Sequence, residues 1–243
     1  MTWLQTMKDQ FQLNFVSGAK WKWLVEGLGN TLIITFFSLL LGIVIGVVIA
    51  TIRSTFDKNQ EVLAMHKGAK YYVLRALDLI SRFYLTVIRG TPVVVQLLIM
   101  YFIILAKSNN SILVAVIAFG VNSGAYVAEI VRGGIMSIDN GQFEAGRSMG
   151  FNYVQTMIYI IIPQVFKSIL PTLCNEFIVL FKETSVAGYV GIMDLTKAGE
   201  LIRSRTYSAF MPLIAVALIY LVFVIILTKL VGKLERRLRK NER

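Results

Sequence analysis

The sequence predicts an all-α membrane protein of five transmembrane helices, with a short cytoplasmic helix between the third and the fourth. Three observations carry that prediction. Of its 243 residues, 56% are hydrophobic and only 16% charged, against about 25% charged in soluble domains, and the mean hydropathy is +0.67. The apolar residues gather in runs near the ~20 residues that a bilayer crossing needs. Sixteen of the 25 lysines and arginines fall in the segments on one side of those runs, the bias that marks cytoplasmic loops. Other classes drop out on composition. An aromatic content of 12% excludes disorder, and the single cysteine, Cys174, excludes a disulfide scaffold. One histidine, His66, beside that cysteine removes most metal and haem arrangements, so no cofactor is expected on this chain. The formal net charge of +11 reads as membrane orientation, not as nucleic-acid binding.

Residues 1–26 form an amphipathic segment expected to lie in the interface, because Trp3, Met7, Phe11 and Phe15 recur every fourth residue. With no apolar core it is no cleaved signal. Trp21 and Trp23 stand where an aromatic belt holds the entry to the first span, 32–52, which Arg53 ends. Residues 54–70 are polar, and 72–84 mix Leu74, Leu77 and Ile80 with Arg75, Asp78 and Arg82 at helical spacing, a partly exposed lead-in helix. The second span, 86–105, is broken near its start by Arg89-Gly90-Thr91-Pro92. After a polar hairpin comes the third span, 112–135, carrying Asn122, Ser123, Tyr126 and Glu129. The fourth, 153–181, holds Pro163, Lys167, Pro171, Asn175 and Glu176, and the fifth, 210–230, is nearly pure aliphatic. Residues 27–232 are thus one transmembrane domain, followed by a basic tail, 233–243, drawn to anionic lipid or simply solvated. Five spans and the charge bias put the N-terminus outside and the C-terminus in the cytoplasm.

The connection 139–150 is too long for a bare hairpin. Asp139 can cap a first turn, Glu144 and Arg147 can pair at i,i+3, Gly150 suits a left-handed closing residue, and Asn152 can cap the fourth span. A rigid helix–glycine–helix elbow on the cytoplasmic side is what transmitting a push from a soluble partner requires. A purely structural elbow fits the residues equally well.

Glu144-Ala145-Gly146, three residues, Gly150, nine residues, then Ile160-Ile161-Ile162-Pro163 resembles the EAA loop of binding-protein-dependent ABC importer permeases. That family has alanine at the third position; Gly146 departs from it, at about 1 kcal/mol of helix propensity, and is expected to loosen the elbow. Arg89-Gly90-Thr91-Pro92 with Gln96 and Leu97 resembles the polar amino-acid uptake branch. So do Ala125 to Ile135 with Gly141-Gln142, and Leu170-Pro171, Asn175, Phe177-Ile178 and Lys182 to Ser185. A long basic connection, 54–82, has no counterpart in the resemblance.

The resemblance implies a type I ABC importer permease with a coupling loop at 139–163, in which Glu144, Ala145, Gly146, Arg147, Met149 and Gly150 meet a separate cytoplasmic ATPase. It implies that ATP and Mg are held by that ATPase, that an extracytoplasmic binding protein delivers a polar amino acid, and that a second permease chain, identical or related, completes the pathway in the plasma membrane.

The chain has no G-x-x-x-x-G-K-[ST] phosphate loop, Gly232-Lys233 being followed by Leu234, so it is not expected to hydrolyse ATP. Gln96, Asn122 and Lys167 fall near the midplane when spans are counted at ~1.5 Å per residue. With Tyr126, Glu129 and Glu176 they are the candidates for the substrate path. The alternative is that the amides join helices and a neighbouring acid neutralises Lys167, which is the expectation preferred for that lysine. Gly42-x-x-x-Gly46 and Gly120-x-x-x-Gly124 permit close helix approach. A membrane enzyme would need a converging set of acids, histidines or cysteines that the sequence does not supply. A structural subunit of another membrane complex leaves the elbow and the proline-broken spans unexplained.

Overall fold

The computed structural model describes residues 3–65 and 68–240, and they are helical with no strand among them. His66 lies outside the described residues. The helices are α1 (Trp3–Phe11), α2 (Trp21–Met65), α3 (Ala69–Gly90), α4 (Val93–Ile99), α5 (Ser111–Met136), α6 (Asn140–Ser148), α7 (Tyr153–Thr156), α8 (Ile162–Glu183), α9 (Leu195–Thr206) and α10 (Phe210–Lys240).

Among the described residues, four segments are long and apolar enough to cross a bilayer: Trp21–Lys58, Ser111–Met136, Tyr153–Val190 and Phe210–Leu238. A fifth crossing exists only if Tyr71–Gly90 and Val93–Ile104, bent by 109° at their junction, count as one. The second span is therefore broken where Arg89-Gly90-Thr91-Pro92 led the sequence to expect it. Thr91 is extended at φ −122° and ψ 147°, as the residue before a proline must be, and Pro92 supplies no N–H to carry the helix across. Residues 54–65, read as a polar loop, instead continue α2, which is 45 residues long. Low hydropathy reports solvent, not loss of helix, and no glycine or proline occurs between Arg53 and Met65 to stop it.

Pro163 and Pro171 behave differently. A π-turn, Met157–Ile161, precedes Pro163, and the Ile162 N–H bonds back to the Met157 carbonyl. The wider turn makes room for a ring that would otherwise meet the Tyr159 carbonyl. Pro171 sits inside α8 without breaking it.

The chain forms two units. The first comprises Met1–Ser38, Val93–Phe119 and Phe177–Leu230. Its core gathers Phe15, Leu24, Leu195, Ala198, Ile202 and Val216. Asn14 is buried and accepts from Thr206 Oγ1 at 2.7 Å, tying the N-terminal segment to the end of α9. Gly27 lets α2 lie against the Asp194–Leu195 backbone, where a Cβ would stand 2.5 Å from the Asp194 carbonyl oxygen. Asp194 caps α9 by accepting from the Lys197 N–H at 2.6 Å. Its other carboxylate oxygen, Oδ2, is buried with no hydrogen-bond partner among the described residues.

The second unit comprises Leu39–Pro92, Gly120–Glu176 and Val231–Arg243. Ala50, Val127, Val131, Ile135, Phe143, Ile161, Val165, Ile169 and Leu173 form one cluster joining α2, α5, α6 and α8. The two glycine pairs named above interlock in this unit. A Cβ on Gly46 would meet Val127 Cγ1 at 2.6 Å, and one on Gly120 would meet Leu41 Cδ2 at 2.7 Å. Gly124 likewise faces Ile45, and Gly42 faces Ser123.

Candidate functional site

The elbow is built from local chemistry. Asp139 caps α6 by accepting from the Gly141 N–H at 2.6 Å. Gly150 has φ +82°, a conformation that favours glycine, and closes α6. The Gly150 and Phe151 N–H groups bond to the Arg147 and Gly146 carbonyls at 2.9 and 3.0 Å. Asn152 then starts α7 in a capping box with Gln155, each side chain accepting from the other's backbone at 2.9 Å.

Burial divides α6 into two faces. Phe143 and Gly146 are buried, whereas Glu144, Ala145, Arg147, Met149 and Gly150 are exposed. Phe143 seats the helix in the cluster of the second unit. Gly146 is the other anchor, since a Cβ there would meet Thr156 Cγ2 and Oγ1 at 2.7 Å and Ile160 Cδ1 at 3.2 Å. Both branches of the threonine occupy the space an alanine methyl needs, so no rotation of that short side chain clears it. The glycine therefore tightens the elbow, correcting the expectation that it loosens it. Among the described residues, no ion pair joins Glu144 to Arg147, also contrary to expectation; both charges face outward.

The polar residues of the spans separate into distinct settings. Asn122 is 3% exposed, and beside it the Ser123 hydroxyl donates to Glu176 Oε1 at 2.9 Å, bringing α5 and α8 together through a buried carboxylate. Gln96 is partly buried on α4 in the first unit. Lys167 is exposed on α8, and the expected neighbouring acid is not found among the described residues.

Glu129 belongs to a network that the sequence reading missed. It accepts from Arg53 Nη1 at 2.7 Å and faces Arg132 Nη2 at 3.3 Å and Arg89 Nη1 at 3.8 Å. Asp78 takes Arg82 at 2.7 Å, and Asp57 lies 3.4 Å from Arg132 and 3.6 Å from Arg82. Tyr126 lies under Arg89, whose guanidinium carbon is 5.9 Å from the ring centre. The 54–82 connection thus supplies much of the charge that fastens α2, α3 and α5. The i,i+4 spacing of Asp78 and Arg82 and the i,i+3 spacing of Glu129 and Arg132 were the available signals.

Apolar spans, one of them bent at Pro92, and a glycine-closed elbow are features of a membrane transport subunit. The chain belongs to the family of binding-protein-dependent transport system inner membrane components, whose model matches residues 62–240. It is 37% identical over 223 residues to the arginine transport system permease protein ArtQ of Bacillus subtilis, covering 90% of this chain and 94% of that protein. It is 34% identical over 220 residues to the glutamine transport system permease protein GlnP of Escherichia coli, covering 89% and 93%. Among solved structures, an amino acid ABC transporter crystallised with histidines matches at 38% identity and TM-score 0.77, over 92% of this chain and 98% of that one. The MetNI methionine ABC transporter in an inward-facing conformation shares the fold at 22% identity and TM-score 0.68.

Proposed function

We propose that the chain is the membrane-spanning permease of an ABC importer for a polar amino acid. The observation that carries this is similarity along nearly the whole chain to an amino acid ABC transporter of known structure, at 38% identity, joined to an elbow whose outer face is left open. The relatives named for arginine and glutamine transport support the solute class.

In this reading a separate cytoplasmic ATPase, holding ATP and Mg, grips Glu144, Ala145, Arg147, Met149 and Gly150. Gly146 and Phe143 carry the resulting push inward: Gly146 bears on Thr156, and Phe143 on the cluster that includes Ile161, Val165 and Ile169. α8 then moves Glu176 and its hydrogen bond to Ser123, beside Asn122. Those residues, with Gln96 and Lys167, are the solute-path groups. Glu129 and Tyr126 support the path from within the arginine network. An extracytoplasmic binding protein delivers the solute, and a second copy or a related permease completes the pathway. Residues 1–26 lie in the outer interface and 233–243 form a cytoplasmic basic tail, with no cofactor on this chain.

The test is reconstitution of the permease with its ATPase and binding protein in vesicles. The permease alone should hydrolyse no ATP, and the complex should take up labelled arginine or glutamine. Glu144→Lys should lower both ATPase co-purification and uptake while membrane insertion is unchanged. Hydrolysis by the permease alone would refute the assignment, and unchanged co-purification and uptake in Glu144→Lys would make the elbow purely structural. Orientation is read by cysteines at Asn140 and Asn109 in a Cys174→Ser background. Impermeant thiol reagents should reach the first only from the cytoplasm and the second only from outside; the reverse pattern overturns the topology.

A further inference from the structure

The arginine network borders an open pocket of about 470 Å³ in the second unit, lined by Arg53, Arg82, Leu85, Thr86, Arg89, Gly90 and Glu129. Its volume is within the ~300–1,000 Å³ of sites that hold small ligands. Three guanidinium groups face it against one carboxylate. Across the whole network Arg53, Arg82, Arg89 and Arg132 outnumber Asp57, Asp78 and Glu129. The carboxylates are already engaged at short range: Glu129 holds Arg53 and Asp78 holds Arg82, each at 2.7 Å. Arg89 is the loose member, half-exposed, with its ion pair stretched to 3.8 Å. A guanidinium so placed has fork donors to give to an incoming oxyanion, and phosphate oxygens match that fork geometry.

The surroundings select the source of the phosphate. α3 carries Arg82 and Arg89 on one side, and on the other it exposes Ile80, Phe83 and Val87, a stripe at i, i+3 and i+7. A strongly amphipathic helix with an apolar face uncovered belongs at the lipid–water boundary. The cationic pocket lies on the opposite, polar side of the same helix, and basic pockets beside membrane helices hold anionic headgroups.

We propose that this pocket binds the phosphate of an anionic membrane lipid, with Arg89 engaging it and Arg53 and Arg82 held in place by their carboxylates. The orientation given above makes this the cytoplasmic leaflet; the site itself does not depend on it. The long connection after the first span thereby gains a purpose, since it brings Arg82 and Arg89 to Arg53.

The experiment is native mass spectrometry of the full purified chain titrated with phosphatidylglycerol, phosphatidylcholine, or sn-glycerol 3-phosphate without acyl chains. Saturable binding of phosphatidylglycerol, tighter than phosphatidylcholine, is expected. Arg89→Gln should weaken it about fivefold, the weight of one basic residue at a lipid surface, and Arg89→Lys should retain most of it. Thr86→Glu, which adds a carboxylate to the wall without removing an arginine, should weaken it as well. Equal binding of the two lipids, or affinity unchanged in both Arg89→Gln and Thr86→Glu, overturns the proposal. Saturable glycerol phosphate binding with no lipid preference assigns the pocket to a soluble phosphate and overturns the lipid source. Because the readout needs neither ATPase nor transport, its failure leaves the importer reading standing, and the reverse holds too.

Discussion

Lys58 on α2 reaches across to Asn140 at the start of α6, its Nζ donating to Oδ1 at 2.7 Å, and the same ammonium lies 4.7 Å from the centre of the Phe143 ring. One side chain from the extension of the first span therefore contacts both the opening residue of the elbow helix and its apolar anchor. A cation over an aromatic face is worth about 0.5–1 kcal/mol at an exposed site, small for stability yet enough to bias where a nine-residue helix rests.

Lys58→Met is accordingly expected to leave the melting temperature within about 2–4 °C of the parent. Amide exchange over 140–148 should nonetheless quicken and ATPase-coupled uptake should fall. Exchange in α6 equal to the parent's would show that the contact positions nothing.

Gly146 gives a sharper test, because Thr156 fills the space of an alanine methyl. Gly146→Ala should destabilise although alanine is the better helix former by about 1 kcal/mol. Thr156→Ala in the same chain should recover that loss, with a coupling energy in the ~0.5–3 kcal/mol range for touching residues. Additive effects in the double-mutant cycle would remove the packing explanation for this glycine.

Asp194 titrates against stability. Burial pushes its carboxyl up to about 7, outweighing the Lys197 N–H bond that lowers it, whereas an unfolded aspartate titrates near ~3.9. The folded state holds the extra proton, so stability is greatest below about pH 4, falls as pH rises to about 7, and is level above. Asp194→Asn keeps a side-chain cap and removes the titration. The parent should melt like the variant at low pH and progressively below it toward neutrality; a difference that stays constant with pH would show that burial does not govern this group.

For Lys167, exposure without a carboxylate partner among the described residues reverses the expectation drawn from sequence. A charge at mid-bilayer depth costs about 2.5–3.5 kcal/mol on insertion scales. Lys167→Met should thus fold with an unchanged or higher melting temperature. Uptake measured on the same variant then assigns the charge: loss with normal stability places it in the path or against the second permease. A melting temperature several degrees lower would reveal a partner within the chain.

What was legible in the sequence was what short-range chemistry decides. Asp139, Gly150 and Asn152 act as caps and closing residue because a cap needs only its own backbone neighbours. Pro92 marked a break, though not its 109° angle, which depends on how the following helix packs. The contacts that sequence distance hides were missed. Arg53 and Glu129 are 76 residues apart, and nothing local to either indicates the other. Gly146 reads in isolation as a weak helix residue, and only Thr156, on the next helix, explains it.

The interlocked glycines of α2 and α5 bear on how such a subunit can move. With Gly42 and Gly46 against Ser123 and Val127, and Gly120 and Gly124 against Leu41 and Ile45, each backbone notch is filled by a side chain from the opposite helix. Sliding one helix along the other by a single ~1.5 Å step would lift every tooth from its notch onto a neighbour that has none. The stretches of α2 and α5 within the second unit are therefore geared together, and alternation between open and closed forms has to carry them as one rigid body.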